Sequence, residues 1–174
     1  MFMIILLGDI DLSVGSMYAF IGVISAIVFK TTESTCLTLI VALALGIAIG
    51  LFNGIFTAKF RVPAFITTLA TMSICRGFAY IITGGSPIGV TNPKFTFLGT
   101  GYVFNLIPLP VIFMIIVLIL GMILVKHTRF GRYIYSCGGN AQAAKWSGIN
   151  VDKIRITVYV IAGFLNGFAA IILA

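Results

Sequence analysis

Four complete apolar runs and an open-ended fifth leave this chain almost no way to fold in water. They read Leu12 to Phe29, Leu37 to Ala58, Ala64 to Thr83, a run ending at Val125 with Pro108 and Pro110 near its start, and a last one from about Ile154 to Ala174. A helix needs roughly 20 apolar residues to cross a bilayer, and these runs meet that length. The chain is 60% hydrophobic and 9% charged, where a soluble domain carries about 25% charge. The expected fold is all-α: a polytopic transmembrane bundle with about five spans. Met1 to Gly8 is apolar but too short to cross, and the last run stops without a polar flank. Both ends look cut, so residues 1–174 are expected to form one partial membrane domain of a longer protein.

The charges sit between the runs. Lys59 and Arg61 make one basic turn with Pro63. Lys126, Arg129, Arg132, Lys145, Lys153 and Arg155 make a second basic island. The alternate links hold only Lys30 and Lys94, and Arg76 lies inside the third run. Basic loops stay in the cytoplasm, so both basic connections are placed there. Asp9 and Asp11 then fall at the cytoplasmic end of the first complete span, where either can cap its first turn. The net charge of +7 arises from this placement. With no basic stripe among exposed aromatics, it does not call for nucleic acid.

The island, residues 126–155, is the most informative segment. Its middle reads as a short helix: Asn140 can cap the start, Ala141 to Ser147 favours helix, and Gly148 can end it in a left-handed turn. A small cytoplasmic helix held beside the membrane can take a push from a soluble partner. Trp146 on it either anchors in a partner's groove or rests at the membrane interface.

Inside the spans, Arg76 is the sharpest feature, since a central arginine costs roughly 2.5–3.5 kcal/mol to insert. It either lines a watery pathway or snorkels to the outer face. Thr67, Thr68 and Thr71 add polar groups to the same helix, and with Asp9 and Asp11 they complete the candidate pathway or gating residues. Gly46, Gly50 and Gly54 stand four apart, and Gly163 and Gly167 repeat the spacing. Such residues let helices approach closely in lipid. Asn53 and Asn166 precede the last glycine in the similar segments GLFNG and GFLNG, a hint of internal duplication.

Other chemistries fit poorly. Asp9-Ile10-Asp11 has the form of a metal-holding DxD of a transferase, but such a site needs further oxygen ligands and only Asp152 is available on that side. Gly84 to Thr91 has the glycine spacing of a phosphate loop but Val90 stands in place of its lysine. Cys36, Cys75 and Cys137 are odd in number, with Cys36 and Cys137 on opposite faces, so no disulfide framework is expected. His127 is the only histidine, and no Cys-x-x-Cys occurs. No metal or cofactor is expected in this chain.

Several blocks together carry a family likeness. Gly8-Asp9-Ile10-Asp11-Leu12-Ser13-Val14-Gly15-Ser16 resembles the GIDLSVGS signature of bacterial ABC-importer permeases for ribose and similar monosaccharides. Phe65-Ile66-Thr67-Thr68-Leu69, Arg76-Gly77 and Thr83-Gly84-Gly85-Ser86-Pro87-Ile88 look like the family's next blocks. Thr128 to Tyr135, Gly138-Gly139-Asn140, Ala143-Ala144 and Ser147 to Val151 look like its cytoplasmic loop. The resemblance runs over almost all of the chain. It implies a multi-pass protein of the bacterial plasma (inner) membrane. Its partners would be a second permease copy, a cytoplasmic ABC ATPase subunit that hydrolyses the ATP, an extracytoplasmic solute-binding protein and membrane lipid. Gln142-Ala143-Ala144-x-x-x-Gly148 is also similar to the EAA-type coupling loop, though it has Gln for Glu and lacks the later Leu-Pro. On this reading Asn140, Ala143, Ala144, Trp146 and Gly148 meet the ATPase subunit. The rival functions are a membrane-embedded DxD transferase and an ATP-independent channel or facilitator.

Overall fold

Why each apolar run ends where it does is visible in its flanking residues. The computed structural model describes residues 1–90, 92–103 and 107–173, with the backbone alone at Pro93, Lys94 and Val103. Thr91, Phe104 and Ala174, which the sequence places at the ends of the glycine-rich loop, the following connection and the last span, lie outside the described residues. The helices are α1 (Phe2–Leu6), α2 (Val14–Thr32), α3 (Thr35–Ala58), α4 (Ala64–Thr83), α5 (Pro93–Thr100), α6 (Leu109–His127), α7 (Arg129–Gly139), α8 (Ala141–Trp146) and α9 (Val151–Leu173). Five of them, α2, α3, α4, α6 and α9, are long and apolar enough to cross a membrane. The chain is a helical transmembrane bundle.

The bundle is built inside out. On α4 the buried stripe is Ala64, Thr67, Thr68, Thr71 and Cys75, small or hydroxylated residues at helical spacing. Its outer face shows Phe65, Ile66, Leu69, Ile74, Phe78 and Ile81. Lipid reverses the usual preference, so large apolar groups face outward and small polar ones knit the interior. On α6 only Val125 is buried.

The tightest contact is between α3 and α9. A Cβ added at Gly46 would run into the Gly163 carbonyl, one at Gly50 into the Tyr159 carbonyl, and one at Gly167 into the Ala42 carbonyl. The two glycine series therefore face one another across a single seam. No side chain larger than hydrogen fits between these backbones.

The structure departs from the sequence expectations in several places. The first span begins at Val14 with Ser13 in the N-cap position, and no side chain caps it. Asp11 instead accepts from the Ser13 N–H at 2.8 Å, and Asp9 turns to α9. The island holds two helices rather than one. Thr128 Oγ1 accepts from the Gly131 N–H at 3.2 Å and starts α7, whose Ile134 and Cys137 are buried. The last span starts three residues earlier than Ile154, at Val151, because Asn150 Oδ1 accepts from the Lys153 N–H at 3.0 Å. The glycine-rich connection contains α5 and a two-residue antiparallel pair, β1 (Tyr102–Val103) with β2 (Ile107–Pro108), a local feature of an otherwise all-α bundle.

Candidate functional site

One end of the bundle gathers the polar chemistry. The α1–α2 link, the α3–α4 turn, α8 and the start of α9 line a single cleft of about 680 Å3. Asp9, Thr57, Arg61, Gln142, Lys145 and Arg155 are among its lining residues. The two basic connections thus share one end of the molecule with Asp9.

Deeper in, a hydrogen-bond chain joins two helices to the α1–α2 link. Thr71 Oγ1 donates to Asn53 Oδ1 at 2.6 Å. Asn53 Nδ2 donates to Ser13 Oγ at 3.2 Å, and Ser13 Oγ donates to Asp11 Oδ1 at 2.6 Å. The donors run head to tail from α4 through α3 to the Asp11 carboxyl, an order in which each bond polarises the next. All four residues are buried. Thr68 braces the same link: its Oγ1 accepts from the Leu12 N–H at 3.2 Å and lies 2.9 Å from the Ala64 carbonyl and 3.2 Å from the Ile10 carbonyl. Thr67 stays within α4, 3.5 Å from the Pro63 carbonyl. Asn53 is five residues from the end of α3, so by helical rise the network lies about 7 Å inside that end.

Asp9 lies at the floor of the cleft, with Oδ2 3.0 Å from Arg155 Nε. Neither atom has a hydrogen-bond partner, so the contact is a charge pair whose N–H is not aimed at the oxygen. Burial pushes the Asp9 carboxyl above the usual carboxylate range, and Arg155 pulls it partly back. Asp9 and Asp11 face different partners, and among the described residues no three metal-ligating side chains come together.

Arg76 is not part of this site. It is exposed on α4, away from the threonine stripe, and makes no ion pair among the described residues. Phe65, Ile66 and Leu69 are also exposed on α4.

On α8 the ends are fixed by its own residues. Asn140 Oδ1 accepts from the Ala143 N–H at 3.0 Å. At the other end Gly148 has φ +81, its N–H bonds to the Lys145 carbonyl at 3.0 Å, and the Ile149 N–H bonds to the Ala144 carbonyl at 3.0 Å. This is a complete Schellman stop, which needs a residue tolerant of positive φ. Ala144 is buried against Ile134, Cys137 and Ile149, so it holds the helix to the bundle. Ala143 and Gly148 are exposed, and Trp146 is 81% exposed, a large aromatic with no cover.

The whole of residues 1–174 matches the model of a family described as the branched-chain amino acid transport system / permease component. The chain belongs to this permease family. It is 41% identical over 173 residues to the ribose import permease protein RbsC of Haemophilus influenzae, covering 97% of this chain and 53% of that protein. The corresponding protein of Escherichia coli is 43% identical over 176 residues, with 99% and 54% covered. The L-arabinose transport system permease protein AraH of Escherichia coli is 41% identical over 167 residues, with 96% and 51% covered. The chain spans about half the length of the curated relatives it matches. No solved structure matches it.

Sequence reasoning missed several members of the permease's polar end. Asn53 stood out only as the neighbour of a glycine, although an asparagine in an apolar helix is itself a sign of an interior bond. Thr57, Arg155 and Tyr159 were not singled out. Arg155 and Tyr159 are four apart on α9 and so share a face, a signal that could have been read.

Proposed function

We propose that this chain is part of the membrane-spanning subunit of an ATP-driven importer for a monosaccharide such as ribose, working in the bacterial inner membrane. The observation that carries the reading is the identity of 41% and 43% to two ribose import permeases over nearly the whole chain. No covalent chemistry occurs in this subunit. A cytoplasmic ABC ATPase hydrolyses the ATP, a second permease copy completes the pathway, and an extracytoplasmic solute-binding protein delivers the sugar. The ATPase subunit docks on α8, where Asn140 and Gly148 fix the helix, Ala144 ties it to the bundle, and Ala143 and Trp146 face the partner. The polar end formed by Asp9, Asp11, Thr67, Thr68 and Thr71 gates the cytoplasmic side. A two-state pathway of this kind responds to ATP only through contacts that differ between its states.

The test is uptake by the full-length permease, reconstituted in liposomes with its ATPase and binding protein. Labelled ribose should accumulate only with internal ATP and external binding protein, and unlabelled arabinose as competitor reports the sugar preference. Accumulation-free, ATP-independent flux would point to a facilitator. Metal-dependent transfer by the purified subunit would point to the transferase reading.

A further inference from the structure

Arg61 stands where glycine is the ordinary choice. The chain leaves α3 through a turn in which the Phe60 N–H bonds to the Ile55 carbonyl and the Val62 N–H to the Phe56 carbonyl. Between them Arg61 holds φ +55, a left-handed conformation that glycine takes freely and a β-carbon resists. Strain of this kind is a reason to ask what the side chain does. Arg61 lines the cytoplasmic cleft of about 680 Å3.

The short helix α8 supplies another part of the lining. Ala141, Lys145 and Gly148, spaced by four and then three, border the cleft together with Gln142, and Trp146 lies outside it. Arg61 and Lys145 are exposed to the cleft, and among the described residues neither has an ion pair. The other charges there are already offset. Arg155 is paired with Asp9 at 3.0 Å, and Asp152 sits in the first turn of α9, at the positive end of that helix. Two cations are therefore left uncommitted in one cavity. Asn150 also borders it. Its Oδ1 is taken by the Lys153 N–H, which leaves its Nδ2 to donate, and Gln142 offers an amide donor and acceptor.

This donor set has a definite complement. A guanidinium fork beside an ammonium suits a phosphate. The volume exceeds what a bare phosphate fills and falls in the range of small-molecule sites, roughly 300–1,000 Å3. Neutral amides beside the cations match hydroxyl groups. We infer that the cleft is a binding site for a sugar phosphate, with Arg61 and Lys145 on the phosphate and Gln142 and Asn150 on the hydroxyls. It rests on the function proposed above only for the side of the membrane it faces. Its occupant ties the α3–α4 turn to α8.

The test uses the full-length permease alone, in nanodiscs of phosphatidylcholine, which leave both faces open. Binding of ribose 5-phosphate, inorganic phosphate and ribose is measured by calorimetry and by the shift in melting temperature. Ribose 5-phosphate should bind and raise the melting temperature, inorganic phosphate should bind more weakly, and ribose should give no signal at the same concentration. Arg61→Gly and Lys145→Gln should each weaken ribose 5-phosphate about tenfold, as expected for loss of a charge-assisted bond. Unliganded Arg61→Gly should melt no lower than wild type, because glycine accepts the φ; should it melt lower, Lys145→Gln alone decides. No binding by the wild type overturns the site, as does full affinity in Lys145→Gln, or ribose binding as tightly as its phosphate. A lipid headgroup carries the same phosphate chemistry, so the titration is repeated with phosphatidylglycerol in the disc. Loss of ribose 5-phosphate binding there assigns the cleft to lipid and overturns the sugar phosphate. No ATPase, binding protein or sugar gradient is present, so failure here leaves the uptake test of the proposed function untouched.

Discussion

Asn53 is the residue on which the interior depends most. It is 1% exposed and uses its amide in both directions, accepting from Thr71 and donating to Ser13. Asn53→Leu strands both partners, and a buried group left unpaired costs about 1–3 kcal/mol. The detergent-solubilised protein should melt lower by that amount. The double variant with Thr71→Val should melt higher than the two losses added together, because one bond is removed in common. Arg76 predicts the reverse. It is exposed and unpaired among the described residues, so Arg76→Ala should leave the melting temperature within about 0.5 kcal/mol of wild type. If uptake nevertheless falls, the guanidinium works on something outside this bundle. A drop in melting temperature would show that it holds the bundle together. The sequence singles out Arg76 as the sharpest polar group in an apolar helix and marks Asn53 only as the neighbour of a glycine. It cannot say which one faces inward, because that depends on how α4 is rotated against α3.

At the scale of elements, α8 keeps its shape through Asn140 and Gly148. Gly148→Ala forces a side chain into φ +81, at a cost of about 1 kcal/mol or slightly more. A six-residue helix has little to offset that, since helices under roughly 12 residues are marginal alone. Limited proteolysis should cut the variant between α8 and α9 while sparing the wild type, and equal resistance would mean that packing of Ala144 alone holds the helix. The boundaries of α8 were legible because caps are local: Asn140 and Gly148 act on residues within five positions. The same reasoning did not reach α7. Its apolar positions Phe130, Ile134 and Cys137 follow a helical period, but Arg129, Arg132 and three glycines give the stretch the look of a loop. The α3–α9 seam sets a different limit. Gly50→Val would drive side-chain atoms into the Tyr159 carbonyl and should destabilise by about 1–3 kcal/mol or prevent folding. Gly77→Ala, facing open space, should be silent, and equal losses in both would mean the seam is not what the spacing serves.

The whole molecule has a polar end, an apolar belt and a second end where Glu33 and Cys36 lie. Cys36 is exposed, whereas Cys137 is buried and is a poor reporter. With Cys36 intact, a membrane-impermeant maleimide should label intact cells. A Cys36→Ser, Ser136→Cys variant should label only after permeabilisation, and labelling of Ser136→Cys from outside would invert the assigned orientation. The spans were legible because length and apolarity act along the chain, and the five spanning helices fall on the runs that show them. The polar end was only partly legible. Asp9 and Arg155 are far apart in sequence, and nothing local in either announces the other. The seam between α3 and α9 has a mechanical meaning as well. Helices that meet by large side chains interlock like gear teeth, and sliding one along the other means lifting every tooth. Where bare backbones meet, there are no teeth, so the surfaces resist being pried apart far more than being slid. The α3–α9 pair is therefore shaped like a rail: at this seam, displacement of α9 along its own axis lifts no interlocked side chains.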